Sequence, residues 1–197
     1  MLEMGFRYGF KLGYNGQRKF HTSPNLQSAS QYPNTVEQKL AKEIDQNRIA
    51  GTFLERPYPN LQISPIGVVP KKEDGQFRLI HHLSYPFGSS VNGFIPEEIK
   101  QVHYASIDDA ISIILAVGPK CALAKTDMNS AFRIIPMHPD DHELLGIKWK
   151  WNFYFDRCLL MGCFISCAIF QIFQVRFSGW HKLNALINIK YMFWMIF

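Results

Sequence analysis

The chain has 197 residues, 47% hydrophobic and 19% charged, which is enough apolar material for one sizeable core or two small lobes and excludes a disordered segment. Lys plus Arg outnumber Asp plus Glu by 21 to 16, a formal charge of +5 that favours a polyanionic partner. The opening Met1–Phe10 mixes charged and aromatic residues where a signal peptide needs a continuous apolar run, which argues against secretion.

Four cysteines, Cys121, Cys158, Cys163 and Cys167, form no CxxC pair and have no histidine pair at zinc-finger spacing. They read as reduced core thiols in an intracellular protein of the cytoplasm or nucleus. The apolar tail from Leu183 to Phe197 is interrupted by Asn184, Asn188 and Lys190. It is also shorter than the ~20 residues of a bilayer span, so it reads as buried core, with no membrane partner.

In chain order, residues 1–34 are rich in Gly, Asn, Gln, Ser and aromatics, with Arg7, Lys11, Arg18 and Lys19 interspersed. Without a sustained period they predict an irregular basic arm or a solvated linker. A capping-box pattern, Thr35 with Gln38, predicts a helix whose apolar positions Val36, Leu40, Ile44 and Ile49 recur until Gly51. Prolines at 57, 59, 65 and 70 leave only extended segments such as Ile66–Val69. A hairpin follows, with a charged turn from Lys71 to Gly75 and an alternating strand from Phe77 to His81. The turn carries two lysines and the returning strand carries Arg78.

Residues 86–96 predict a loop, and Ser106 caps a helix through Ile107, Ala110, Ile111, Ile114 and Leu115 that ends at Gly118-Pro119. A short apolar strand, Cys121–Thr126, delivers Asp127 at its end. Phe132–Ile135 is expected to lead outward as part of a second hairpin, with Leu145–Lys148 pairing Trp151–Phe155. Cys163–Phe177 predicts a buried helix, and Asn188–Phe197 a core strand.

Asp127 is the first candidate for chemistry, because a carboxylate at the end of an apolar strand can hold a divalent cation at a sheet edge. Its Asp-Met-Asn-Ser context could equally be a cap or turn. His81 and His82 invite a metal reading with His103 or Cys158, but adjacent strand side chains face opposite sides and chelate one ion poorly.

The order of three segments resembles reverse transcriptases: Val68 to Ile80, Ala124 to Phe132, and Met161-Gly162 before Ser166-Cys-Ala-Ile-Phe-Gln171. More narrowly, Gly5 to Phe10, Ile63-Ser-Pro65, Arg78 to Ser84, Gly88 to Asn92, Tyr104 to Ala110 and Met161-Gly-Cys163 look like the tyrosine-recombinase (DIRS-type) retrotransposon branch. The resemblance covers about residues 5 to 180, and collinear agreement of many segments is far more specific than any one.

The resemblance implies an α+β fold of polymerase fingers with an incomplete palm, built of antiparallel sheets with packed helices: residues 35–119 as the fingers-like region and 120–197 as a partial palm plus a fingers hairpin. It implies an RNA-directed DNA polymerase that uses two Mg2+ ions, deoxynucleoside triphosphates and an RNA or DNA template-primer. Lys71, Lys72 and Arg78 would close on the incoming triphosphate, Arg as a planar fork of donors and Lys as a point charge. Asp127 would be the first catalytic, metal-binding carboxylate, and the Met128 carbonyl a further metal ligand. Phe132 would pack under the sugar and exclude a 2′-hydroxyl. Met161 and Gly162 would border the nucleotide or template.

The sequence departs from the family at His82, where aspartate is usual, and at Leu160, where proline is usual. No Asp or Glu follows Asp156. The two later palm aspartates are thus expected to be missing, as in a chain truncated before the Asp-Asp motif and inactive alone. Asp140 and Asp141 lie in the turn leaving the Asp127 segment and cannot replace them. The competing readings are a non-catalytic nucleic-acid-binding remnant and a degenerate translated element.

Overall fold

The computed structural model describes residues 2–72, 75–102, 106–119 and 128–174. Its helices are α1 (Leu2–Tyr8), α2 (Gln27–Gln31), α3 (Pro33–Asp45), α4 (Ile107–Val117) and α5 (residues 166–174). Its strands are β1 (His21–Thr22), β2 (Ile49–Phe53), β3 (Gln62–Ile63), β4 (Ile66–Pro70), β5 (Phe77–His81), β6 (Gly146–Trp149) and β7 (Asn152–Asp156). The strands form a five-stranded mixed sheet, ordered β1-β3-β6-β7-β2, and a separate β4–β5 hairpin. The architecture is α+β, as expected, while β1–β3 and β3–β6 pair parallel where antiparallel sheets were expected.

Helix α3 starts at Pro33 rather than Thr35, and its N-cap Tyr32 makes no side-chain cap bond. Proline at the first helical position supplies a preset φ and lacks only an N–H that would be orphaned there anyway, so no capping box is required. Val36 and Leu40, one turn apart, are buried. The helix stops at Asp45 and Asn47 turns the chain with φ 59°, so Ile49 belongs to β2 rather than to the helix.

Val36, Leu40, Ile49, Ile66, Val68, Ile147, Trp149 and Tyr154 fill one core between α3, the hairpin and the inner sheet face. A second core gathers Phe10, Leu12, Phe132, Ile135, Leu144, Leu145, Leu160 and Phe170. Leu61, Ile63 and Phe155 make a smaller cluster.

The first 34 residues differ from the irregular arm expected of them. They contain α1, β1 and α2, and Phe10 and Leu12 are buried. Arg18 accounts for much of this order: it meets the buried Asp141 at 2.6 Å and Glu143 at 3.1 Å. Asp141 Oδ2 in turn accepts from the Leu12 amide. Polar composition hid these contacts because the partners lie more than a hundred residues away.

Ala131–Ile134 forms a 3-10 turn instead of an extended segment, since Ser130 reverses the chain in the left-handed region at φ 56°. The late helix begins at residue 166 rather than Cys163, and 175–177 lie outside the described residues. The β6–β7 hairpin forms with Gly146 opposite Phe155 and Trp149 opposite Asn152, which leaves Trp151 in the turn. Ser106 does cap α4, in a reciprocal capping box with Asp109, and Gly118 ends it at φ 93°. The Cys121–Thr126 and Asn188–Phe197 strands lie outside the described residues.

Candidate nucleotide-binding site

β4 and β5 pair in register from Ile66 opposite His81 to Pro70 opposite Phe77. The Lys71 amide donates to the Gln76 carbonyl at 2.8 Å and closes the turn, and Gly75 adopts φ 74°, a conformation glycine tolerates. Lys71, Lys72 and Arg78 are all exposed, with Arg78 paired across the hairpin to Val69. Three cations thus share one solvent-facing hairpin end, a geometry able to take a phosphate chain.

The outer edge of β4 is fixed by α2 and the segment before it. The Leu26 amide donates to the Ile66 carbonyl, Ser28 Oγ accepts from the Val68 amide, and Asn25 Oδ1 accepts from the Ile66 amide. An edge that would otherwise expose unpaired groups is therefore satisfied.

The foot of the hairpin is anchored by a buried polar contact. His81 is buried; its Nδ1 lies 3.0 Å from Asp156 Oδ2 and its Nε2 lies 3.2 Å from the Gly146 carbonyl. Both ring nitrogens are engaged, so the metal reading of His81 has no free lone pair to use. His82 is half-buried with its ring beside Tyr85.

Arg133 approaches the other oxygen of Asp156, with Nη1 at 2.6 Å but out of line for an N–H bond, so the contact is chiefly coulombic. It also grips Glu43 of α3 through Nε at 2.9 Å and Nη2 at 2.8 Å. Burial would raise the Asp156 carboxyl, yet the Arg133 charge and the His81 contact outweigh it and hold the group below the usual carboxylate range. Burial likewise disfavours the Arg133 cation, and Asp156 and Glu43 more than compensate, raising it above the ordinary arginine value. Glu43, Arg133, Asp156 and His81 thus join α3, the 131–134 turn, β7 and β5.

Phe132, next to Arg133, is buried and packs edge-on against Phe170 with centroids 5.4 Å apart. Met128 is partly buried against the same core. Met161 is exposed, and Gly162 at φ 94° sits so close to β5 that a Cβ there would lie 3.1 Å from the His81 carbonyl oxygen. Buried Asn92 ties the loops around it together: Nδ2 donates to Ser84 Oγ at 2.8 Å and to the Gly162 carbonyl at 2.6 Å, and Oδ1 accepts from the Phe164 amide at 3.0 Å.

The described contacts therefore bring Gly162 to the hairpin foot and place Phe132 with Met128 in one core. Asp127 lies outside the described residues. Among the described residues no group of three or more His, Cys, Asp and Glu side chains could hold a metal ion. Sequence reasoning missed the Glu43–Arg133–Asp156–His81 chain. Its one visible signal was the final acid, Asp156, at the end of an apolar strand.

No family model matches the sequence, and no curated protein matches it. Solved structures do. The native prototype foamy virus protease-reverse transcriptase superposes with a TM-score of 0.56 at 17% identity, over 85% of this chain and 20% of that one. The chain has a reverse-transcriptase-like fold. A foamy viral protease-reverse transcriptase in complex with dsDNA gives a TM-score of 0.55 at 17% identity, over 85% of this chain and 31% of that one. The reverse-transcriptase-like chain thus spans between a fifth and a third of the length of these structures. Among its described residues no helix is long and apolar enough to cross a membrane.

Proposed function

We propose that this chain is part of an RNA-directed DNA polymerase of a retrotransposon, of the tyrosine-recombinase (DIRS-type) branch, and that the β4–β5 hairpin binds an incoming deoxynucleoside triphosphate. The observation that carries the reading is the hairpin itself: Lys71, Lys72 and Arg78 exposed on one end of a reverse-transcriptase-like fold, with Gly162 close against its foot. Arg78 supplies a planar fork and the lysines mobile charges for the same phosphates. Phe132, buried against Phe170, is the residue that would exclude a 2′-hydroxyl from beneath the sugar, and Met161 with Gly162 borders the nucleotide or template. A nucleic-acid partner is in keeping with the dsDNA complex of the foamy viral protein that shares this fold.

Asp127 and the Met128 carbonyl are the residues of this sequence that would hold Mg2+, which in the intact polymerase stabilises the attacking and leaving oxygens. Two divalent ions repel strongly at the ~3.5–4 Å such sites use and need several carboxylates. No Asp or Glu follows Asp156, so this chain alone binds nucleotide and template without extending a primer.

The test has two arms. Equilibrium binding of a deoxynucleoside triphosphate with Mg2+ is expected to weaken in Arg78→Ala and Asp127→Asn; unchanged binding in both removes the nucleotide site. Primer extension on an RNA template is expected at background. Extension that vanishes in Asp127→Asn would show that this chain completes the catalytic site after all.

A further inference from the structure

Strand β3 is two residues long and pairs with β6 only at Gly146, so among the described residues the β6 edge beyond that point has no strand partner on this side. The segment after β1 fills the gap. Asn25 Nδ2 donates to the Lys148 carbonyl at 2.9 Å while its Oδ1 accepts from the Ile66 amide, which pins Asn25 between β6 and β4. What remains open is a recess of about 360 Å3 lined by Thr22, Ser23, Pro24, Asn25, Lys148 and Lys150.

The charged side chains of this lining are both cations. Lys148 is exposed, with Nζ 5.5 Å from the centroid of the Phe153 ring. Lys150 stands at the turn in a left-handed conformation, φ 53°, and pairs with Glu37 of α3. Both members of that pair are solvent-exposed, so the pair is weak and a phosphate can replace the carboxylate. Immediately beside the lysines, Trp151 leaves 86% of its surface in water. An indole at the tip of a cationic turn, next to a polar recess, suits a phosphate flanked by an unpaired base.

We propose that this recess and the Trp151 turn bind single-stranded nucleic acid, a backbone phosphate lying between Lys148 and Lys150 and the adjacent base stacking on Trp151. The site belongs to the five-stranded sheet and uses none of the residues assigned to the nucleotide. It does not depend on the polymerase reading. A single strand fits better than a duplex because stacking on an exposed indole needs a base face that pairing and stacking within a helix conceal.

The test is fluorescence anisotropy of a labelled oligothymidylate against the whole chain, over a series of salt concentrations. Lys148→Gln is expected to reduce the magnitude of the log-affinity salt slope by about 0.7, the value for one phosphate contact on a single strand. Trp151→Ala is expected to weaken binding about tenfold at fixed salt. Both side chains are exposed, so unchanged thermal melting of the variants confirms that folding is intact. An excess of inorganic phosphate is expected to compete only weakly, since it offers no base.

Three outcomes overturn the proposal: no binding at low salt, binding within twofold of wild type in both variants, or duplex binding as tight and as sensitive to them. Arg78→Ala separates this site from the hairpin. If it weakens oligothymidylate binding where Lys148→Gln does not, the strand lies on the hairpin instead and the proposal fails.

Discussion

His81 and Asp156, 75 residues apart, meet in the interior with Nδ1 3.0 Å from Oδ2, and this contact fastens the foot of the cationic hairpin to the end of β7. Asp156 also faces Arg133, which reaches back to Glu43. The hairpin is thus tied through a chain of polar contacts to the turn that carries Phe132.

Arg133→Met should be strongly destabilising. It removes the cation between two carboxylates and leaves the fully enclosed Asp156 with only His81, and breaking a buried pair from one side costs about 3–5 kcal/mol. Urea denaturation of the two proteins measures the difference. A change below about 1 kcal/mol would mean that water reaches this network freely.

The same network sets an acid limit on the fold. The folded-state value of Asp156 lies below its unfolded value of ~3.9, so its contribution is fully present above that pH and is lost as pH falls through the folded value. Thermal melting should therefore drop steeply below about pH 4. Asp156→Asn should be less stable at neutral pH and show a shallower acid decline. Parallel profiles for the two proteins would contradict this assignment.

Asn92→Ala should loosen the loop that contains Met161. The Gly162 carbonyl and the Phe164 amide lose their side-chain partner, and since both residues are exposed each lost bond costs about 0.5–1.5 kcal/mol. Amide exchange at Phe164 should accelerate more than exchange in β6 or β7. Uniform acceleration would instead indicate global destabilisation.

Gly162→Ala should cost about 1–2 kcal/mol through its left-handed conformation alone. The added Cβ also meets the His81 backbone oxygen at 3.1 Å, so the strain should pass into β5. Chemical shifts of His81 and Leu83 amides should move while those of α4 stay fixed.

Local chemistry was readable without coordinates. The charged turn with its Asp-Gly signal between Val69 and Phe77 gave the β4–β5 hairpin, because a two-residue period and a glycine at positive φ are both local constraints. The capping box at Ser106 was legible for the same reason, as donor and acceptor lie three residues apart. The resemblance to reverse transcriptases supplied the α+β class, and the hairpin pattern supplied the exposed cations at 71, 72 and 78.

Tertiary structure alone decided the rest. Arg18 and Asp141, or Glu43, Arg133 and Asp156, carry no mark of partnership in the sequence, since a charge pairs equally well on paper with any opposite charge. Only folding selects which carboxylate is desolvated beside which cation, and that selection turned an expected irregular arm into packed structure and a strand-end acid into the anchor of the hairpin. The short β3 is a further case: where a strand stops depends on what competes for its neighbour's edge, and here the Asn25 side chain took the bond at Lys148.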